Sequence, residues 1–472
     1  MNEDDVHRQL VSLLGPDNVS RAEPVLLRHA SDALRPSRSF PGSDQLRPRP
    51  QWVVWPRSPE QVQGLVRLAN EQHIPLVPFG SGTGLMGGAT SAHGGVLVDM
   101  ARLNCIRTVR LEDRTVTAEA GAVLGDVDTE LEAHGLMLGH DPWTLPVATV
   151  GGTISTNSLG YRGAQYGSMG EQVLGLEAVL PDGNLISTRA VPKTSTGMAL
   201  HQLLVGTEGC FGIITAATLK AFPLPEHRRL YALRFPTFEA AFRAVDRMYA
   251  VGLAPALVDM GEKFAPGLPP GWESRPTEDG AELFLGFEGL KEVVRAQARR
   301  ARQLWEAERG IQRDTRVAQR FWKSRHAAAE GYMRRLRQAD RAPFLQPASP
   351  PLVDYVHVAL PASRVLEYRG RCIELACRHQ VHLREFGLWN RPELFSVALM
   401  DSVGSDDRLG RATDAILELA QDLGGSMEYC HGVGLRLAHL MAREHGYGLE
   451  VLRKLKHTLD PENIMNPGKL AL

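Results

Sequence analysis

Apolar positions in the first part of the chain predict short helices that alternate with short strands. From Val62 to Ala69 they recur at helical spacing, and Ser58-Pro59-Glu60-Gln61 before them is typical of a helix start. Residues 74–78 predict a strand that two prolines confine to the edge or the start of a sheet, because proline has no N–H to donate. Residues 147–170 are rich in Gly, Ser, Thr and Asn, and an irregular segment of that length usually wraps a ligand.

The pattern changes after Pro223. Strands and helices alternate there in an order that favours an antiparallel sheet with helices on one face, and therefore an α+β protein. The predicted strands are residues 230–235, 256–260, 355–360, 382–388 and 394–400, and the main predicted helices are residues 238–249, 365–378 and 441–460. We expect a first domain, a second domain and a C-terminal segment that returns to the first, at residues 1–225, 226–423 and 424–472.

Composition fits an ordinary globular protein of two or three domains, with 472 residues, 43% apolar and 23% charged. No apolar run is long enough for a membrane span, and the acidic N-terminus has no hydrophobic signal region. The five cysteines form no Cys-x-x-Cys pair, which indicates reduced thiols. We therefore expect a cytoplasmic protein.

Charge is concentrated in one stretch. The net charge is −1, yet residues 291–341 hold fifteen Lys or Arg against six Asp or Glu. A long solvated helix would explain this, as would a lid that attracts anions or a peripheral contact with acidic lipid head groups. No nucleic-acid-binding motif accompanies the charge, so we expect no nucleic-acid partner.

Three separated segments, residues 80–85, 151–157 and 206–214, are spaced by glycines. Glycines at alternate positions let backbone N–H groups converge on one point, as a pyrophosphate requires. The first segment, Gly-Ser-Gly-Thr-Gly-Leu, lacks the GxGxxG spacing and does not open onto a periodic helix, which argues against a nicotinamide cofactor. Taken alone, it is also compatible with a plain surface loop.

Together with Asn-Ile-Met-Asn-Pro-Gly-Lys at residues 463–469, these segments resemble the vanillyl-alcohol-oxidase type of FAD-linked oxidases. Within that type the chain is similar to the glycolate oxidase flavoprotein subunit, to D-lactate and D-2-hydroxyglutarate dehydrogenases and to alkylglycerone-phosphate synthase. The resemblance implies a two-part FAD domain of the p-cresol-methylhydroxylase (PCMH) type and an antiparallel cap domain over the substrate. It also implies noncovalent FAD, because the His or Cys that tethers FAD in some relatives is missing at residues 80–85 and 149–157.

By the same resemblance, residues 78–85 would hold the pyrophosphate, residues 140–142 and 149–157 the flavin and ribityl chain, and the Ile213 backbone the pyrimidine edge. The predicted cofactor-binding residues are Pro78, Phe79, Gly80, Ser81, Gly82, Thr83, Gly84, Leu85, His140, Asp141, Pro142, Thr149, Val150, Gly151, Gly152, Ser155, Thr156, Asn157, Tyr161, Gly209, Gly212, Ile213 and Asn466.

His431 is the predicted catalytic base. Residues 424–434 resemble the Glu-His-Gly-x-Gly segment of the family, whose His takes the hydroxyl proton of the substrate while hydride goes to flavin N5. An imidazole suits this role near neutral pH, and a structural His beside a glycine turn is the alternative. Tyr429 is predicted to orient His431 or to donate to a developing alkoxide.

The metal ligands of the metal-dependent relatives are missing. Those relatives carry a Glu directly before the His and two more His in a cap segment, whereas this chain has Cys430 and no His at residues 385–394. We therefore expect no metal. Residues 321–325, Phe-Trp-Lys-Ser-Arg, resemble a Trp-x-x-Arg-like element of the relatives, whose guanidinium grips the substrate carboxylate. The resemblance therefore implies that Arg325 anchors a substrate carboxylate, and a guanidinium can do so through two hydrogen bonds. The alternative is that Arg325 is one of many basic residues on a solvated helix.

Three functions stay open. The first is an FAD-dependent, metal-independent dehydrogenase or oxidase of a 2-hydroxy acid or similar secondary alcohol. The second is a flavin-dependent transferase of the alkylglycerone-phosphate-synthase type, favoured by residues 140–145, and the third is a flavin-binding subunit that depends on an electron-accepting protein. The expected partners are a small anionic substrate, an electron acceptor (oxygen, a quinone or a protein), a membrane surface at residues 291–341 and a second copy in a homodimer.

Overall fold

The computed structural model describes residues 2–265, 276–404 and 407–472. None of the helices described there has the length and apolar character to cross a membrane.

The helices are α1 (Glu3–Leu14), α2 (Glu23–Arg28), α3 (Pro59–Gln72), α4 (Leu124–Glu132), α5 (Val150–Ser155), α6 (Gly163–Tyr166), α7 (Met169–Gln172), α8 (Phe238–Ala250), α9 (Lys291–Ala307), α10 (Thr315–Ser324), α11 (Ala327–Gln338), α12 (Val365–Arg378), α13 (Arg408–Asp422), α14 (Met441–His445) and α15 (Tyr447–Leu459). The strands are β1 (Val19–Ser20), β2 (Trp52–Val54), β3 (Leu76–Phe79), β4 (Val96–Asp99), β5 (Ile106–Arg110), β6 (Thr115–Glu119), β7 (Leu136–Leu138), β8 (Val173–Val179), β9 (Leu185–Ser187), β10 (Ile213–Pro223), β11 (His227–Phe235), β12 (Leu257–Phe264), β13 (Pro276–Gly289), β14 (Ile311–Gln312), β15 (Leu352–Ala359), β16 (His382–Trp389) and β17 (Leu394–Asp401).

The first sheet has the strand order β1-β2-β4-β3, with β2 and β3 parallel to β4. The proline-containing strand β3 lies at its edge, as predicted, so the missing N–H of Pro78 costs no internal hydrogen bond. Helix α3 begins where predicted, since the side chain of Ser58 accepts the N–H of Gln61. Its apolar stripe, including Val62 and Val66, is fully buried.

The second sheet is antiparallel, with the order β5-β6-β10-β8-β9 and β7 paired to β10. The C-terminal segment returns to the first sheet, where the backbone of Met465 bridges Leu76 and Leu76 donates to the carbonyl of Ile464. These two sheets and the C-terminal segment surround the site described below.

The third sheet has seven antiparallel strands in the order β14-β11-β13-β12-β16-β17-β15, which confirms the α+β class and the antiparallel cap. Helices α8, α9, α12 and α13 pack on it, with Phe238 and Trp305 buried in between. The predicted strand list missed β13, although it pairs with both β11 and β12. Its first residues, Pro-Thr-Glu-Asp-Gly, are polar and mostly exposed, so no apolar alternation marks its start.

Two predictions of local structure were wrong. Residues 147–170 form three short helices, α5 to α7, because the few apolar side chains of α5, Val150 and Ile154, are fully buried and Gly151 packs closely on Ala120. Residues 291–341 are three helices and a short strand, not one long helix. The chain breaks at Arg309, which has a positive φ of 62°, and restarts at Asp314, whose side chain caps α10.

Candidate active site

All three glycine-spaced segments line one cavity, with about 1250 Å³ between its walls including space open to solvent. Cys430 and His431 line the same cavity. The predicted cofactor-binding residues that line it are Pro78, Phe79, Gly80, Ser81, Gly82, Thr83, Gly84, Leu85, Pro142, Thr149, Gly151, Gly152, Ser155, Thr156, Gly209, Gly212 and Ile213. The structure therefore brings together residues that are far apart in sequence.

The first glycine loop, residues 80–85, has the features of an anion cradle. Among the described residues, no backbone N–H of this loop donates a hydrogen bond to another protein group. Gly82 has a φ of +67°, and a Cβ there would lie 2.6 Å from Cζ of Phe79. A Cβ at Gly80 would lie 2.5 Å from Oγ1 of Thr149. Free N–H groups beside close-packed glycines suit a pyrophosphate, so the loop fits the FAD that the family resemblance implies.

The second segment begins with a helix cap. Oγ1 of Thr149 accepts the N–H of Gly152, which starts α5. Val150, a predicted cofactor residue, is fully buried in the core and does not line the cavity. Asn157 ends the segment with a φ of 48°, and its side chain accepts the N–H of Gly170 at 2.9 Å. Asn157 also stands outside the lining.

Glu208, in the third segment, holds the loop that carries His431. Its carboxylate accepts the N–H of Val433 at 2.6 Å and that of Gly434 at 2.9 and 3.0 Å. Burial raises the pKa of Glu208 to about 7, against the two backbone hydrogen bonds that lower it. The Glu208 carbonyl also accepts from Asn466, whose amide bridges to the carbonyl of Gly88. Glu208 and Asn466 are therefore positioning residues, and the role of Glu208 was not predicted.

Asp32 also lines the cavity and was not predicted. Its carboxylate accepts backbone N–H groups of Leu34 and Ala89, and burial raises its pKa to about 6. Asp32 lies in the polar N-terminal segment and is not part of any motif. Its position at the cavity is therefore visible only in the tertiary structure.

His431 lies beside a buried carboxylate. Its Nδ1 is 3.7 Å from Oε1 of Glu428, whose side chain is 6% exposed. That oxygen is fixed because it accepts the N–H groups of Cys430 at 2.6 Å and of His431 at 2.9 Å. The ring of His357 packs edge-on against the ring of His431, with centroids 4.4 Å apart. A carboxylate next to one ring nitrogen favours a proton there and leaves the other nitrogen as a base.

The neighbours of His431 are not reactive acids. Burial raises the pKa of the Cys430 thiol to about 12, so this cysteine stays protonated at neutral pH. Burial also holds the pKa of Tyr429 well above its usual value. The Tyr429 ring contacts His357 and does not line the cavity. Among the described residues its hydroxyl makes no hydrogen bond, so the structure supports neither of its two predicted roles.

Arg325 and Asp141 form a buried ion pair outside the cavity lining, with Nε 3.0 Å from Oδ2. His326 contacts the other carboxylate oxygen at 2.7 Å. Burial raises the pKa of Asp141, but the His326 contact and the charges of Arg162 and Arg325 outweigh it, and the pKa is well below its ordinary value. Arg325 also stacks on Trp322 at 3.9 Å. In this structure the guanidinium of Arg325 is therefore paired with Asp141, and it does not line the cavity that His431 lines.

Two further predicted cofactor residues stand behind the wall. His140 is buried and contacts Oγ of Ser158 at 2.9 Å, and burial lowers its pKa to about 4, so the ring is neutral. Tyr161 donates to the carbonyl of Arg325 and packs edge-on against Trp389. Tyr161 therefore connects the wall to the cap, whereas His140 contacts the cavity-lining Ser158.

Sequence comparison decides the family. Residues 50–189 match the family described as FAD binding domain, and residues 224–470 match FAD linked oxidases, C-terminal domain. The chain belongs to the FAD-linked oxidases. Its cofactor is therefore FAD, as the family resemblance implied, and the chain is an FAD-linked oxidoreductase.

Individual relatives agree with this assignment. The chain is 27% identical to glycolate oxidase subunit GlcD of Bacillus subtilis over 99% of this chain and 96% of the relative. It is 31% identical to D-lactate dehydrogenase of Archaeoglobus fulgidus over 89% of this chain and 91% of the relative.

Solved structures confirm the fold. An alkyldihydroxyacetonephosphate synthase has a TM-score of 0.76 at 19% identity, covering 99% of this chain and 86% of that protein. A p-cresol methylhydroxylase has a TM-score of 0.75 at 16% identity, covering 100% and 97%. The PCMH-type FAD fold was therefore predicted correctly.

Replacing Gly82 by Ala tests the anion cradle. The added methyl meets Phe79 and strains a positive-φ position, so the loop must move and its N–H groups lose their alignment. We expect the Gly82→Ala variant to bind FAD more than about tenfold more weakly, a loss of more than about 1.4 kcal/mol, and to be purified with less FAD than the wild type.

Gly42 is a matched control, because its φ is +82° and an added Cβ meets nothing within 4 Å. Gly42→Ala should carry a comparable backbone strain and keep its FAD. The cradle assignment is wrong if Gly82→Ala keeps the full FAD content measured by absorbance.

Glu208 should make stability depend on pH. The folded protein keeps a proton on Glu208 up to about pH 7, whereas the unfolded chain loses it near the ordinary value of 4.5. Stability therefore falls as the pH rises through this window, and Glu208→Gln removes that loss. Between pH 5 and 8 the variant should gain up to about 3 kcal/mol relative to the wild type.

Thermal midpoints at pH 5, 6, 7 and 8 provide the measurement, with the exposed Glu112→Gln as the control. A constant difference between wild type and Glu208→Gln across this range would contradict the buried protonated carboxyl.

Proposed function

We propose that the protein oxidises the CH–OH group of a 2-hydroxy acid or a similar secondary alcohol, with His431 as the base. The observation that carries this proposal is the place of His431, which lines the same cavity as the glycine segments and has the Glu428 carboxylate beside its Nδ1. The names of the relatives support the substrate class, since they act on glycolate and D-lactate.

His431 takes the proton of the substrate hydroxyl in this proposal. Glu428 stabilises the resulting imidazolium, because its carboxylate is fixed by two backbone N–H groups and lies 3.7 Å from Nδ1. Bound FAD supplies the hydride acceptor. The residues of the first glycine loop bind its pyrophosphate, and we propose that FAD is bound noncovalently.

Arg325 is proposed to anchor the substrate carboxylate by exchanging partners. Its guanidinium now pairs with Asp141, which is only 1% exposed. Asp141 keeps the contact with His326 and the nearby charge of Arg162 when Arg325 turns away, so the exchange leaves no buried carboxylate unpaired. The proposed reaction also needs an electron acceptor that reoxidises the flavin, and the candidates are oxygen, a quinone and a partner protein.

Transferase activity of the alkylglycerone-phosphate type is the second candidate. Residues 140–145, His-Asp-Pro-Trp-Thr-Leu, favour it, and Pro142, Trp143 and Thr144 line the cavity. This candidate requires a response to an acylglycerone phosphate and none to simple hydroxy acids.

Anaerobic mixing of the FAD-loaded protein with a panel of 2-hydroxy acids tests the first candidate. At least one acid should bleach the flavin absorbance near about 450 nm. In His431→Gln the rate of bleaching should fall about 10²- to 10⁴-fold with the FAD content unchanged, because only general-base catalysis is removed.

His445→Gln, at an exposed histidine, is the control and should bleach at the wild-type rate. Bleaching by acylglycerone phosphate alone would favour the transferase, and inertness toward every compound without an added protein would favour a partner-dependent subunit. An unchanged rate in His431→Gln would contradict the base assignment.

A further inference from the structure

Unsatisfied polar atoms are concentrated next to His431. Among the described residues, Nδ1 of His357, Oε2 of Glu428, the hydroxyl of Tyr429 and Nδ1 of His431 are buried and have no hydrogen-bond partner. Each such atom costs about 1–3 kcal/mol when it stays unpaired. A single bound ligand would satisfy the three that belong to His357, Glu428 and His431, whose side chains lie next to one another.

Three of these side chains have the geometry of a cation site. One ligand atom from each of His357, Glu428 and His431 lies within 4.8 Å of the other two. Two imidazole nitrogens and one carboxylate oxygen are ligands for zinc-like transition metals, in contrast to the all-oxygen shells of magnesium and calcium. Ligand atoms about 2.1 Å from one tetrahedral metal lie about 3.4 Å apart. Binding therefore requires the three side chains to move only slightly closer to one another.

Glu428 is prepared for this role. Its Oε1 is held by the N–H groups of Cys430 and His431, which leaves Oε2 as the free ligand oxygen. In the described part of the chain, no Lys or Arg forms a salt bridge with this carboxylate, although its side chain is 6% exposed. The nearby Arg38 is paired with Asp354 at 3.0 Å. A buried carboxylate without a fixed counter-charge favours a bound cation.

This cluster is distinct from the ligand set that the metal-dependent relatives carry. That set needs a Glu at the position of Cys430 and histidines within residues 385–394, and none of these is present. His357 lies on strand β15, outside residues 385–394. It contacts His431 because the end of this strand, at Ala359, is bridged to the backbone of Ser426, in the segment that leads to His431.

We propose that His357, Glu428 and His431 bind one divalent cation of the zinc class, and that the bound cation blocks proton transfer by His431. A metal on Nδ1 keeps the single ring proton on Nε2. The ring then presents an N–H donor in place of a lone pair and cannot accept the hydroxyl proton. Cation binding moves the ring proton from Nδ1 to Nε2 and changes no other covalent bond, so removal of the cation lets the proton return and restores the base.

The proposed inhibition of proton transfer rests on the proposed role of His431 as base. Binding of the cation itself does not depend on that role. The two parts therefore need separate measurements on the same FAD-loaded, tag-free full chain.

Metal uptake tests the site. After treatment with a chelator and dialysis, the protein is equilibrated with micromolar Zn²⁺, and bound zinc and FAD are measured together. We expect one zinc per chain. In His357→Ala the affinity should fall by more than about 100-fold, because loss of a ligand exceeds the effect of losing an outer partner of a metal-bound His. The FAD content should not change.

His439→Ala is the matched control. His439 also contacts a carboxylate, with Nε2 2.9 Å from Asp414, but lies outside the cluster. It should leave zinc uptake unchanged. If His357→Ala does not retain FAD, His357→Gln preserves more of the volume and the polarity. Absence of stoichiometric uptake, or uptake equal in wild type and His357 variants, would overturn the site.

Flavin bleaching by the active hydroxy acid tests the block. One equivalent of Zn²⁺ should slow bleaching by at least about tenfold in the wild type and in His439→Ala, a chelator should reverse it, and His357→Ala should be insensitive. Zinc uptake without any change in the bleaching rate would overturn the block. If no hydroxy acid bleaches the flavin, the proposed function fails, and the uptake measurement still decides the site.

Discussion

The rest of the site depends on one loop, residues 80–85, whose N–H groups have no acceptor in the described part of the protein. The carbonyls of residues 84–86 are taken by the protein: Gly84 accepts from Ala33, Leu85 from the Arg38 side chain, and Met86 from the backbone of residues 435 and 436. The N–H groups of residues 80–85, by contrast, are available to an acceptor bound in the cavity that the loop lines. An anion is that acceptor, and glycines allow both the close packing and the backbone angles that the turn requires.

Gly88, three residues after this loop, connects the cofactor site to the segment of the base. Gly88 accepts from Asn466, Asn466 also bonds the carbonyl of Glu208, and the Glu208 carboxylate holds the backbone of Val433 and Gly434 beyond His431. Segments from the two ends and the middle of the chain are therefore coupled by buried hydrogen bonds. The Glu208 carboxyl takes part in this coupling although burial raises its pKa to about 7.

Sequence patterns predicted the parts of the protein that local chemistry determines. The helix at Ser58, the edge strand with Pro78 and the three glycine segments follow from capping, from proline and from backbone freedom, and the structure has them where expected. Strand β13 was missed because its polar first half carries no alternation. The break near Arg309 was missed because basic residues continue across it.

Tertiary partners could not be predicted in the same way. Asp32 bonds Ala89, Glu208 bonds Val433, and His357 packs against His431, in each case more than fifty positions away in the sequence, so residue spacing does not show these contacts. Arg325 shows the opposite case, because its local motif suggested a free guanidinium while the fold supplies Asp141 as a partner.

A crystal structure of the full chain with bound FAD tests the central claim most directly. The account predicts that the pyrophosphate accepts hydrogen bonds from the backbone N–H groups of residues 80–85 and that the flavin ring lies in the cavity lined by His431. A pyrophosphate held mainly by side chains elsewhere, with those N–H groups turned to solvent, would contradict it.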